Sequence, residues 1–203
     1  MKIICVGRNY AKHIKELSNQ TNEEPVIFLK PDSALLKQNK PFYHPEFSQN
    51  IHHEVEVVLK IGKNGKYIQE KFAHKYVSEV GLGIDFTARD LQSKLKEKGL
   101  PWEISKGFDQ SAVISSFQPV ADFEDLHDLH FRLEKNNEVV QKGHTADMIF
   151  PYEKVIAYVS QFFSLRMGDL IYTGTPEGVG KIAIGDQLKG FLGDKEMFAF
   201  EVN

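Results

Sequence analysis

Three acidic residues carry the first chemical signal in the sequence: Glu54, Glu56 and Asp85. The two glutamates stand two apart in the alternating run 52–61 (HHEVEVVLKI). Side chains two apart on a strand share a face, so both carboxylates point the same way. Taken alone, an E-x-E pair more often lines a solvated strand face. Asp85 adds a second observation. It closes the run 79–86 (EVGLGIDF), where Val80, Leu82, Ile84 and Phe86 form one face and Gly81, Gly83 and Asp85 the other. A carboxylate whose same-face neighbours are glycines implies space cleared for a ligand or for a close backbone. If the two strands are neighbours, three carboxylates converge. Like charges at such range raise one another's pKa unless a cation sits among them. Hard oxygen donors favour Mg2+, Mn2+ or Ca2+ over zinc, and three of them leave about three octahedral positions for water and substrate.

His13 and Glu16 form a second constellation. On a helix, positions i and i+3 share a face, so the carboxylate can orient the imidazole and stabilise its charge. That is the layout of a general base with its orienting partner, and equally of a solvent-facing ion pair. Lys106, between Ser105 and Gly107, reads as a loop lysine at the surface. Arg8, Arg89 and Gln92 have salt-bridge or helix-surface readings. His52 and His53 flank the first acid, as its partners or as structural histidines. Cys5 reads as core of the first strand. Two glycine patterns are not nucleotide loops. Gly81-Leu-Gly83 lacks a third glycine, and 173–181 (TGTPEGVGK) has the wrong spacing, with Ile182 where a phosphate loop needs Ser or Thr.

The elements that must position these groups are short. Residues 2–6 and 26–30 are compact apolar strands, the second ended by Pro31. Residues 9–18 (NYAKHIKELS) read as a helix capped by Asn9, followed by a polar loop at 19–25. The runs 52–61 and 79–86 are strands, with Asn64-Gly65 as a hairpin turn signal between them. A helix starts at Thr87 or Arg89 and runs to about Lys98, closed by Gly99 and Pro101. Beyond residue 110 come short strands at 111–115, 129–135, 138–142, 169–173, 187–192 and 196–202. They are interrupted by a helix at 151–163 with Pro151 in its first turn. The expectation is one β-rich α+β domain spanning 1–203, with a small N-terminal lobe at about 1–40.

Length and composition bound the rest. A chain of 203 residues favours one domain and can bury a core without staples. Net charge is −3, so no basic excess suggests nucleic acid or an anionic membrane as partner. One cysteine excludes an internal disulfide and a cysteine-rich zinc site, and suits a reducing, cytoplasmic setting. The start MKIICVGRNY shows no signal peptide, and no apolar run is long enough to span a bilayer.

Together the segments GRNYAKHIKEL (7–17), VIFLKPDSAL (26–35), HHEVEVVLKIG (52–62), GIDFTARDLQ (83–92), KGLPWEISKGFD (98–109) and IYTGTPEGVG (171–180) resemble the fumarylacetoacetate hydrolase family. The likeness is to its short acylpyruvate hydrolase and oxaloacetate decarboxylase branch. The resemblance implies a mixed β-sandwich roll, a homodimer, and Mg2+ or Mn2+ held by Glu54, Glu56 and Asp85. It implies a lid segment carrying His13 and Glu16. It places Lys106 and Gln92 against substrate or its developing oxyanion. It makes Arg8, Tyr10, Lys30, Ser33, Arg89 and Thr175 pocket or supporting positions.

The chemistry implied is cleavage of a carbon–carbon bond in a small 3-acylpyruvate or other 2,4-dioxo acid. A metal-stabilised pyruvate enolate leaves after attack by water activated on the His13–Glu16 pair. The same enolate serves decarboxylation or keto–enol tautomerisation of oxaloacetate, and isomerisation or hydration of a related 2-oxo dicarboxylic acid. A non-enzymatic alternative is a binding module in which the three acids hold a structural Ca2+.

Overall fold

The computed structural model describes residues 1–17, 23–36 and 39–203. Its centre is an eight-stranded mixed sheet. Strand Ile3–Gly7 pairs antiparallel with Val26–Lys30 and parallel with Leu170–Tyr172. Leu170–Tyr172 then pairs antiparallel with Val55–Ile61, which pairs antiparallel with Val77–Asp85. The segment expected as an N-terminal lobe contributes three strands to the main sheet, Ile3–Gly7, Val26–Lys30 and the short Leu35–Leu36. A four-stranded antiparallel sheet, built from His130–Lys135, Glu138–His144, Gln187–Leu192 and Lys195–Glu201, packs against it. The fold is α+β and β-rich, as the sequence pattern predicts.

Period-2 alternation explains the layering. Val55, Val57, Leu59 and Ile61, with Val80, Leu82 and Ile84, face the large core shared with Leu133, Leu188, Phe198 and Phe200. The opposite face carries Val58 in a smaller cluster with Ile3, Cys5, Ala112 and Tyr172. Glu56 and Asp85 belong to that second face.

Three local expectations need correction, and one pair of open readings is resolved. Asn9 does not cap the first helix, which runs Ala11–Glu16 behind an N-cap at Tyr10. Its buried amide instead donates to Phe150 O and Thr173 O at 3.1 and 2.8 Å and accepts from Phe150 N at 2.7 Å. Satisfying those buried backbone groups outweighs a cap at a solvated helix end. Ser18 and residues 19–22 of the expected helix end and loop lie outside the described residues. Asn64-Gly65 is not a tight hairpin turn. The connection spans residues 62–76, includes the 3-10 helix Glu70–Tyr76, and docks Gly65 on Leu165 through paired backbone bonds at 3.0 and 2.8 Å. Lys106 is not in a loop: it ends the short helix Glu103–Lys106 and is buried. The glycine face beside Asp85 is not open space. A Cβ on Gly83 would lie 2.5 Å from Val113 O and 2.7 Å from the Tyr172 ring. The glycines allow close backbone and ring approach, the second of the two readings.

Candidate functional site

Glu54, Glu56 and Asp85 meet because the strands carrying them are paired. Glu56 lies opposite Gly83, and Glu54, in the break between strands Ile51–His53 and Val55–Ile61, accepts the Asp85 N–H on its carbonyl at 2.8 Å. One oxygen from each of the three buried carboxylates lies within 4.8 Å of the others. A pocket opens above them, lined also by Arg8, His13, Arg89, Gln92, Lys106 and Thr175. The cavity among these side chains is small, about 40 Å³, against roughly 300–1,000 Å³ usual for small-molecule sites.

Buried cations hold the carboxylates. Lys106 Nζ donates to Glu54 Oε2 at 2.8 Å, to Asp85 Oδ2 at 2.6 Å and to Thr87 Oγ1 at 2.6 Å. Lys30 Nζ, beneath the site, lies 2.6 Å from Asp85 Oδ1 while donating to Ser111 O at 2.6 Å. Arg89 Nη2 pairs with Glu54 Oε1, and Arg89 Nη1 donates to Gln92 Oε1 at 2.5 Å. Glu56 Oε2 accepts the Gly174 N–H at 2.7 Å.

The two glutamates respond in opposite directions. Burial, then the Asp85 charge, pushes the Glu56 carboxyl well above the usual carboxylate range. Burial would also raise Glu54, but Lys106 and Arg89 pull its carboxyl well below that range. Lys106 is held up by Asp85 and Glu54 against the lowering effect of its burial.

This set fits a hard divalent cation. Its donors are carboxylate oxygens without sulfur or imidazole. Asp85 Oδ1 already faces Lys30 Nζ at 2.6 Å, whereas a cation at Glu56 would relieve the excess negative potential that raises its carboxyl.

His13 stands over the carboxylates on the helix Ala11–Glu16, with Nδ1 3.2 Å from Glu16 Oε2. Glu16 Oε1 accepts the Gly178 N–H at 3.0 Å, which ties the helix to the 173–180 loop. A donor Nδ1–H on Glu16 leaves Nε2 as the basic ring nitrogen.

The remaining expected residues divide. Thr175 lines the pocket and is fixed by donating to Val55 O at 2.9 Å. Lys30 supports from below. Tyr10 lines a neighbouring cavity, with its hydroxyl buried and unpartnered among the described residues. Ser33 sits on the exposed 3-10 turn Asp32–Ala34 and is not among the pocket residues; the turn points its side chain to solvent.

Sequence reasoning missed Thr87, the Gly174 amide, Gln141, Lys96 and the Phe28–Trp102 wall. Gln141 binds His53 Nδ1 at 2.9 Å and donates to Thr175 Oγ1 at 2.9 Å, so it braces the loop from a distant strand. Gly174 had a signal in the TGTPEGVG segment. Lys96 and Gln141 had none.

Comparison with known proteins follows the same pattern. The profile of the fumarylacetoacetate (FAA) hydrolase C-terminal family matches residues 2–203. The mitochondrial oxaloacetate tautomerase of Mus musculus is 43% identical over 200 residues, covering 98% of this chain and 90% of that protein. The mitochondrial oxaloacetate decarboxylase of Dictyostelium discoideum is 46% identical over 189 residues, covering 93% and 87%. The crystal structure of fumarylpyruvate hydrolase from Pseudomonas aeruginosa, in complex with Mn2+ and pyruvate, superposes with a TM-score of 0.94. It is 36% identical and covers 100% of this chain and 89% of that one. Among the described residues, no helix is long and apolar enough to cross a membrane.

Proposed function

The chain belongs to the fumarylacetoacetate hydrolase family, and from that premise we infer that it is an enzyme of small enolisable 2-oxo acids, with oxaloacetate keto–enol tautomerisation as its principal reaction. The observation that carries the reading is the meeting, in one pocket, of three buried carboxylates with the His13–Glu16 pair. The tautomerase and decarboxylase names of its relatives support the choice of oxaloacetate.

Glu54, Glu56 and Asp85 would hold Mg2+ or Mn2+, which supplies Lewis-acid charge to a 2-oxo acid as an enolate develops. His13 Nε2 takes the proton from C3 of the substrate. The C–H electron pair forms the C2–C3 double bond, and the carbonyl pair moves onto the 2-oxo oxygen. The proton returns to that oxygen, so the reaction is a proton transfer from C3 to O2. Glu16 keeps the imidazole in the correct tautomer and offsets its positive charge. Gln92, oriented by Arg89, offers its NH2 as a donor to the developing oxyanion. Arg8 and Lys96 lie at the mouth and present positive charge to a distal carboxylate.

Hydrolysis of acylpyruvates, first in order from the sequence, stands second. The His13–Glu16 pair favours it, because only a water-activating step needs that base in a carbon–carbon cleavage. Decarboxylation uses the same enolate with no base. A homodimer and a cytoplasmic, reducing setting for the buried Cys5 belong to this proposal.

The test is a substrate panel of oxaloacetate, acetylpyruvate and fumarylpyruvate, with Mg2+ and with chelator. Wild-type protein should enolise oxaloacetate fastest, and chelator should abolish turnover with the fold intact. His13→Ala should lose at least about 100-fold in tautomerisation and hydrolysis yet keep decarboxylation. Tautomerisation undiminished in His13→Ala removes the base assignment, and faster turnover of an acylpyruvate returns hydrolysis to first place. Unfolding on chelation would favour the structural Ca2+ alternative.

A further inference from the structure

Away from the pocket, the antiparallel pair His130–Lys135 and Glu138–His144 ends on two directly opposed histidines, His130 and His144. Their rings stack with centroids 4.0 Å apart and planes 13° from parallel. Asp128 places Oδ1 2.7 Å from His144 Nε2 and 4.0 Å from His130 Nε2. One ligand atom from each of the three therefore lies within 4.8 Å of the others.

We propose that Asp128, His130 and His144 form a second metal site, for a borderline transition metal of the Zn2+ class, separate from the carboxylate pocket. Donor chemistry sets the class. Imidazole nitrogens suit Zn2+, whereas Mg2+ and Mn2+ prefer oxygen. Two histidines and one carboxylate match the three protein ligands of an open tetrahedral zinc site.

The backbone fixes where the ligands start. The His130–His144 rung is braced by Gly193 N–H on His130 O at 2.7 Å. Thr145 adds a second brace, its N–H and Oγ1 bonding Leu129 at 3.0 and 2.9 Å. His130 and Asp128 are 70% and 73% exposed, so solvent leaves room for the His130 ring to turn out of the stack and for both side chains to meet a common ion. Both histidines also line a cavity whose other wall is Tyr10, Lys12 and Glu177, which leaves room for water or a small anion as fourth ligand.

Zn2+ alone is the probe, titrated by calorimetry with Mg2+ in excess at about pH 7.5, where imidazole is neutral. The Glu56→Gln protein, with the carboxylate pocket weakened, should still bind one Zn2+. His144→Ala should weaken that binding at least tenfold, and the His130→Ala/His144→Ala protein should lose it. Both substitutions lie at the surface, and thermal melts check that the fold is kept. Co2+ gives an independent readout: Glu56→Gln protein should show intense visible bands of a four-coordinate site, absent after His144→Ala. No Zn2+ uptake by Glu56→Gln, or equal uptake after both histidines are removed, overturns the site. Neither result depends on turnover, so it leaves the proposed reaction untouched.

Discussion

Asp85 and Glu54 are joined twice. The Asp85 N–H donates to the Glu54 carbonyl at 2.8 Å, and one ammonium, Lys106 Nζ, bonds a carboxylate oxygen of each at 2.6 and 2.8 Å. The ladder bond sets the distance between the two residues. The shared ammonium sets the direction of their side chains. A lysine buried among three acids thus balances charge that a divalent cation would otherwise balance alone.

Lys106→Met tests that balance. Breaking a buried ion pair by removing one partner costs about 3–5 kcal/mol, because the other charges stay buried. Urea unfolding in chelator should show a loss of this order. Added Mg2+ should restore more stability to the variant than it adds to wild type, since the cation then meets uncompensated carboxylates. Equal Mg2+ effects on both proteins would rule out a shared role for ammonium and metal.

The candidate site was legible where chemistry follows spacing. Glu56 and Asp85 stand on strands whose alternation is plain, with Glu54 at the break just before the first of them, and the His13–Glu16 pair follows from helical periodicity. What stayed hidden came from long-range pairing. Gln141 braces Thr175 from a strand 34 residues away, and Asn9 clamps Phe150 and Thr173. No local pattern marks such contacts. Lys106 was misplaced because a four-residue helix leaves no periodicity to read. The glycines beside Asp85 pointed to a close approach, but only the fold shows that Tyr172 fills it.

Gly178 should matter to activity without touching substrate. Its N–H holds Glu16 Oε1, its φ is +91°, and an added Cβ would collide with Val140 O. Gly178→Ala should shift the amide away from Glu16 and loosen the His13 orientation. The expected result is a fall in kcat of about tenfold with KM little changed, matched by Glu16→Gln, because an orienting partner acts on the base and not on binding. A change in KM alone would mean that the loop contacts substrate directly.

Lys96 should select for a charged tail. It lines the pocket mouth with Arg8, and its ammonium is shifted down by burial and then by the neighbouring Arg8 and Arg89 charges. A dicarboxylic substrate relieves that repulsion, whereas a neutral tail does not. Lys96→Met should lower kcat/KM for oxaloacetate more than for acetylpyruvate, a near-isostere lacking the distal charge, by about tenfold. Equal losses on the two substrates would remove the selectivity role.

His52 should shape stability on the acid side of neutrality. Burial, then the Arg89 charge, lowers its pKa to about 4, while its Nε2 is engaged with Asn50 Oδ1 at 2.9 Å. An unfolded histidine titrates near about 6.5. Between those two values the unfolded chain takes up a proton that the folded chain declines. The sign follows: stability falls as pH drops through about 6.5 and the loss is complete below about 4. His53, lowered by burial against its Gln141 hydrogen bond, acts in the same direction. His52→Gln keeps a polar group near Asn50 but cannot take that proton. Its melting temperature, plotted as the difference from wild type, should rise steadily from pH 7 towards 4 and be flat above 7. The acidic residues titrate in both proteins and cancel in the difference. A difference that does not move with pH would show that His52 ionises as readily in the folded chain as in the unfolded one.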